Sequence, residues 1–153
     1  MIQQTAPACI AAANSVKVPL NNTLWRQACR TGHAALGKGP VYLYYFTWKS
    51  PMNGGKYISP HTVEIPFAFD TLKAAKKTAN LTKDAPDAPA LMEKVSAAWI
   101  AFAKTGNPNV PSLPHWPQFD AKSWPTVMFN NDSKVVSDPI HDQRLAIWSA
   151  MKL

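Results

Sequence analysis

Charged residues, cysteines and long apolar runs are all scarce in this chain of 153 residues. Only 16% of the residues are charged, against about 25% in a typical globular protein. The two cysteines, Cys9 and Cys29, allow at most one disulfide, and their alanine-rich surroundings favour buried free thiols. No CxxC or Cys/His ligand spacing occurs, so no metal is predicted. No apolar run reaches the ~18 residues of a membrane span. The first residues have no basic region and only a short apolar stretch, so we do not expect them to be a signal peptide, and the compartment stays open.

Acidic residues are missing from the first 60 positions, which hold six basic residues. All nine Asp and Glu residues lie from Glu64 onward. An uneven positive charge can indicate a nucleic-acid surface, but these six basic residues are spread singly and form no cluster. We therefore expect no nucleic-acid partner.

Hydrophobic residues make up 46% of the chain, and the 14 prolines indicate a packed body with stiff, irregular connections. Residues 41–48, VYLYYFTW, are apolar on both faces and are predicted to form the longest strand, buried on both sides as in a parallel sheet. A helix is expected before it, at about 22–36, and a loop after it, at 49–60.

The second half of the chain predicts a long helix over 88–105, with Asp87 as its cap, Pro89 in its first turn and Gly106 at its end. A hairpin is expected from 126–130 and 134–138, followed by a helix over 140–152. These elements are too few to surround a strand that is apolar on both faces, so the sequence looks like part of a larger domain. Two apolar helix faces are predicted. The face of the long helix should pack near the strand through Val95, Trp99 and Phe102. The face of the last helix should be buried, with Ile140, Leu145, Ile147 and Trp148 on it.

Five segments follow one another in the chain: GPVYLYYFTWKSP, PHTVEIPFAF, AWIAFAKTGNPN, LPHWPQFD, and WPTVMFN with SDP behind it. Together they resemble the C-terminal part of the type-B carboxylesterases, the family of the bacterial para-nitrobenzyl esterases and the cholinesterases. The resemblance covers residues 40–153 well and residues 1–39 loosely. It implies that 1–153 is the C-terminal portion of one α/β-hydrolase domain: an incomplete sheet with flanking helices, a C-terminal hairpin and a last helix.

The resemblance also implies ester hydrolysis by a Ser-His-Glu/Asp triad. In the family the triad histidine precedes a short turn and an E-[IL]-P-F stretch, and His61 occupies that position before EIPF here. His61 would then take the serine proton and protonate the leaving alcohol. Without the family context, a lone loop histidine is usually a surface residue. Two departures stand beside it, because Ser59-Pro60 precede His61 and Thr62 follows it where the family has small residues.

Other residues near His61 receive weaker roles. Glu64 is too close in sequence to orient the imidazole, so we expect it to support the turn or the backbone. His33, His115 and His141 lack the family context and are interpreted as surface or packing residues. Four aromatic residues flank the histidine loop and are candidates for the acyl or alcohol pocket: Phe46, Trp48, Phe67 and Phe69.

The remaining parts of a triad are missing from this sequence. The nucleophile elbow requires G-x-S-x-G, and none of the six glycines frames a serine in that way. The glycine run of an oxyanion hole is absent as well. In the family the acid precedes the histidine, whereas residues 1–60 contain no acid. The resemblance therefore implies that this chain alone is inactive.

Two functions of different classes remain open. In the first, the chain is the C-terminal fragment of a serine carboxylesterase, and its partners are a small carboxylic ester and the N-terminal part of the same domain. In the second, it is a truncated or degenerate, non-catalytic protein whose esterase core acts as a binding or adhesion scaffold. Neither implies a cofactor. An uncovered strand at 41–48 would also favour self-association.

Overall fold

The structure, a computed structural model, describes residues 39–73, 79–82 and 85–150. The two cysteines, Cys9 and Cys29, and the helix expected at 22–36 lie outside these residues.

The described sheet has three strands in the order β1-β2-β3. They are β1 (Leu43–Phe46), β2 (Pro125–Phe129) and β3 (Lys134–Ser137). β1 runs parallel to β2, with Leu43 opposite Thr126 and Phe46 opposite Phe129. β2 and β3 form the predicted antiparallel hairpin.

The prediction that 41–48 forms the longest strand is wrong, although a strand does form there. β1 has 4 residues and β2 has 5. The strand ends at Phe46, and two residues later the Trp48 indole N–H donates to the Asp87 carboxylate at 2.8 Å. Tyr45 is 51% exposed, so the second face of β1 is only partly covered by the residues that the structure describes.

Four α-helices are described: α1 (Ile65–Ala68), α2 (Ala79–Thr82), α3 (Ala88–Thr105) and α4 (His141–Ala150). A short 3-10 helix, Met52–Gly55, lies in the loop between β1 and α1. Helix α3 has the predicted limits. It ends at Gly106, whose φ of +75° is left-handed and whose N–H donates to the Phe102 carbonyl at 2.8 Å.

The predicted packing of α3 near β1 is confirmed by edge-on aromatic contacts. The rings of Tyr44 and Trp99 lie 5.0 Å apart, and those of Tyr42 and Phe102 lie 5.9 Å apart. Val95 of the same helix is fully buried in the core. Such aromatic pairs contribute about 0.5–1.5 kcal/mol each beyond the area they bury.

Asp87 does not cap α3 through its side chain. It stands at the N-cap position, but its carboxylate makes no capping hydrogen bond. The carboxylate instead accepts hydrogen bonds from the Trp48 indole and from the Asn131 amide, each at 2.8 Å. Donors that are distant in sequence therefore bind this carboxylate in place of the backbone N–H groups of the first helical turn.

The last helix differs from its predicted burial. Leu145 is 49% exposed, so the expectation that it is buried is wrong. The reason is that no described helix or strand packs extensively against α4. Ile140 is half-buried, and the side chains of Ile147 and Trp148 lie outside the described part.

Candidate active site

His61 lies in a tight turn between β1 and α1, and its side chain is exposed. The Val63 N–H donates to the Pro60 carbonyl at 3.2 Å, which closes a four-residue turn over 60–63. His61, the second residue of the turn, has a negative φ, and Thr62, the third, has a φ of +74°. These features match a type II turn, whose third residue is normally glycine.

Thr62 is therefore strained. A non-glycine residue in the left-handed region costs about 1–3 kcal/mol, and a β-branched side chain fits that region poorly. The same residue begins the next turn, because its carbonyl accepts from the Ile65 N–H at 3.1 Å. The strain sits directly beside the candidate base.

Three hydrogen bonds hold the loop before His61 in place. The Ser50 N–H donates to the Ile58 carbonyl at 2.7 Å and closes the loop over 50–58. The Ser59 hydroxyl donates to the carbonyl of Phe46, the last residue of β1, at 3.0 Å. The fully buried hydroxyl of Ser50 donates to the Leu81 carbonyl of α2. No periodicity or motif predicted these contacts; the only signal was that Ser59 departs from the family pattern.

Three of the four predicted pocket aromatics come together in one cluster. The ring of Phe67 lies 5.1 Å from the ring of Phe46 and 5.1 Å from that of Trp48. Trp48 and Phe67 are fully buried, whereas Phe69 is 70% exposed. The structure thus joins Phe46, Trp48 and Phe67 and leaves Phe69 apart on the surface.

Asp87 links the segment before the histidine loop to two distant parts of the chain. It accepts from Trp48, which follows β1, and from Asn131, which lies in the β2–β3 turn. Burial raises the pKa of the Asp87 carboxyl, but the hydrogen bonds from Trp48 and Asn131 outweigh this effect and hold the pKa below its usual value. The group is therefore a carboxylate at neutral pH, and it supports the base of the loop.

The remaining predicted residues make local contacts, and His33 lies outside the residues that the structure describes. The Glu64 carbonyl accepts from the N–H groups of Phe67 and Ala68, at 3.1 and 3.0 Å, and so begins α1. His115 is exposed, and the imidazole of His141 lies 2.8 Å from the Asp138 carboxylate.

Within 39–73, 79–82 and 85–150, no group of three or more His, Cys, Asp or Glu residues could hold a metal ion. No described helix combines the length and apolar character that crossing a bilayer requires. What the described site offers is one exposed imidazole on a firmly held turn, which can accept and release a proton.

Comparison with known proteins gives one consistent result. Residues 15–148 match the model described as the carboxylesterase family. The para-nitrobenzyl esterase of Bacillus subtilis is 29% identical over 81% of this chain and 25% of its own length. The phenmedipham hydrolase of Pseudarthrobacter oxydans is 36% identical over 61% of this chain and 19% of its own length.

A solved structure shows the same likeness in three dimensions. The crystal structure of a Geobacillus stearothermophilus carboxylesterase is 30% identical, with a TM-score of 0.66, over 78% of this chain and 24% of that one. Such neighbours have the α/β-hydrolase fold, and the described sheet and helices form part of it. The chain spans about a quarter or less of the length of these relatives.

Proposed function

Because the chain belongs to the carboxylesterase family, we propose that it is the C-terminal part of a serine carboxylesterase domain in which His61 is the general base. The rest of that domain would supply the nucleophilic serine, the triad acid and the oxyanion hole. The observation that carries the proposal is the place of His61, on an exposed turn held against the end of a parallel strand.

The parallel pairing of β1 and β2 supports this placement. In open α/β sheets, ligands bind at the carboxyl ends of the parallel strands. The loop that leaves β1 returns to the carbonyl of its last residue, Phe46, through the Ser59 hydroxyl. His61 follows Ser59 by two positions, so we place the imidazole near the carboxyl end of β1.

The proposed chemistry needs only proton transfer from this chain. The serine oxygen attacks the ester carbonyl carbon while Nε2 of His61 takes the hydroxyl proton. The same nitrogen then gives that proton to the departing alcohol, and water releases the acid in a second, equivalent cycle. Since the sequence contains no G-x-S-x-G, the first step requires the rest of the domain.

Among the four aromatic candidates, we infer that Phe69 is the one that contacts the ester. Trp48 and Phe67 are fully buried and would support the turn from within the core. Phe46 packs on Phe67 and carries the carbonyl that Ser59 binds. The Glu64 backbone, which begins α1, would hold the turn from the other side.

Complementation tests the proposal. The chain is expressed together with a para-nitrobenzyl esterase of Bacillus subtilis from which the matching quarter has been deleted, and the hydrolysis of para-nitrophenyl acetate is measured. We expect saturable turnover only when both parts are present. Copurification of the two parts without turnover would refute the esterase function and favour the non-catalytic scaffold. Failure of the two parts to associate would refute the proposal that this chain completes such a domain.

A further inference from the structure

We propose that Ser59 is a positioning residue for His61, an inference that rests on the proposed function. The Ser59 hydroxyl donates to the Phe46 carbonyl at 3.0 Å. This bond ties the chain two residues before the imidazole to the last residue of β1.

The direction of the Phe46 carbonyl explains why a side chain is needed there. The Thr47 N–H, in the same peptide unit, donates to the Phe129 carbonyl of β2 at 2.9 Å. Because the N–H and C=O of a trans peptide point in opposite directions, the Phe46 carbonyl points away from β2. No described strand pairs with that edge of β1, and Ser59 supplies the donor that a buried or half-buried carbonyl requires.

The other end of the turn is held independently. Val63 is 1% exposed and belongs to the hydrophobic core, and its N–H closes the turn onto the Pro60 carbonyl. Pro60 also has a fixed φ. His61 thus lies in a five-residue stretch fixed at Ser59 by a hydrogen bond and at Val63 by burial. Removing the hydroxyl should release the first end while the core keeps the second.

Hydrogen exchange in the full 153-residue chain tests this directly. The Val63 amide reports whether the turn is closed, and the amide of Val95, in the middle of α3, reports on the whole fold. The variants are Ser59→Ala, Ser59→Thr, which keeps the hydroxyl, and Ser123→Ala as a matched control. Ser123 also donates a side-chain hydrogen bond, but to Asp120 in a remote exposed turn.

We expect Ser59→Ala to speed exchange at Val63 about fivefold, the shift that one neutral hydrogen bond gives. Exchange at Val95 should stay unchanged, and Ser59→Thr and Ser123→Ala should both leave Val63 within about twofold of the parent. Equal acceleration at Val63 and Val95 would show a general structural role and overturn the proposal. Unchanged exchange at Val63 in Ser59→Ala would also overturn it.

The complemented esterase gives the second readout. There, Ser59→Ala should lower kcat several-fold with little change in KM, because the imidazole spends less time in place. Local exchange that rises while kcat stays unchanged would mean that Ser59 holds the turn but that the turn does not serve catalysis. That outcome would overturn the positioning role of Ser59 and leave the role of His61 standing. Absence of turnover in the complemented parent would instead refute the proposed function, so the two failures are distinguishable.

Discussion

Replacing Thr62 by glycine should make this chain more stable, although most substitutions in folded proteins do the opposite. Thr62 has a φ of +74° at the third position of the turn over 60–63, where a type II turn favours glycine. The left-handed conformation costs a non-glycine residue about 1–3 kcal/mol. Glycine also gives the unfolded chain more conformational entropy, which lowers stability by about 0.5–1 kcal/mol and offsets part of this gain. The expected net gain is about 1 kcal/mol.

Urea and thermal unfolding measure this gain, which corresponds to a rise of about 2–4 °C in Tm for a chain of this size. The control is Thr71→Gly. Thr71 is also half-buried and lies shortly after α1, but its φ is not positive. There, glycine should cost about 0.5–1 kcal/mol. If Thr62→Gly is neutral, or loses as much stability as Thr71→Gly, the reasoning from backbone strain is refuted.

Three further predictions concern the rest of the described structure. Trp48→Phe should lower the free energy of unfolding by about 2 kcal/mol, because the Asp87 carboxylate loses one donor; an unchanged urea midpoint would contradict this. The pKa of Asp87 lies below its ordinary value of 3.8, so its contribution to stability is present above that pH and is lost as pH falls through the lower folded value. Urea unfolding between about pH 2 and pH 6 should show this loss in the parent and not in Asp87→Asn. The isolated chain should associate, because one edge of β1 has no described strand beside it; a monodisperse monomer in light scattering with a sharp transition above about 60 °C would refute this.

Local patterns predicted helix α3 and the hairpin well. The limits of α3 follow from signals within the segment itself: an apolar stripe, a proline in the first turn and Gly106 at the end. The β2–β3 hairpin likewise joins segments that are neighbours in sequence. Such elements depend mainly on contacts between residues that are close in sequence.

Elements that depend on distant contacts were predicted less well. Asp87 looked like a helix cap, but its partners Trp48 and Asn131 stand 39 and 44 residues away in sequence. Segment 41–48 looked like one long strand because both its faces are apolar, yet the strand ends at Phe46 and Tyr45 is half exposed. Leu145 fitted a helical stripe, but an amphipathic pattern does not reveal whether another element covers it.

In the candidate site, too, some features could be predicted from the sequence and others depend on the folded structure. The position of His61 came from a resemblance of motifs, and the structure adds that its side chain is exposed on a turn. The strain at Thr62 and the bond from Ser59 to Phe46 could not be derived from the sequence, because a φ angle and a contact to a strand end are properties of the folded loop. The serine and threonine that depart from the family pattern are the residues that carry these two features.

The role of His61 is the central claim, and one substitution tests it most directly. In the complemented esterase, His61→Ala should lower kcat for para-nitrophenyl acetate by about four orders of magnitude, because the members of a triad act as a unit. His115→Ala, at another exposed histidine outside the turn, should leave kcat within about twofold, as is usual for an exposed residue remote from the site. Comparable rates in the parent and both variants would contradict the assignment of His61 as the general base.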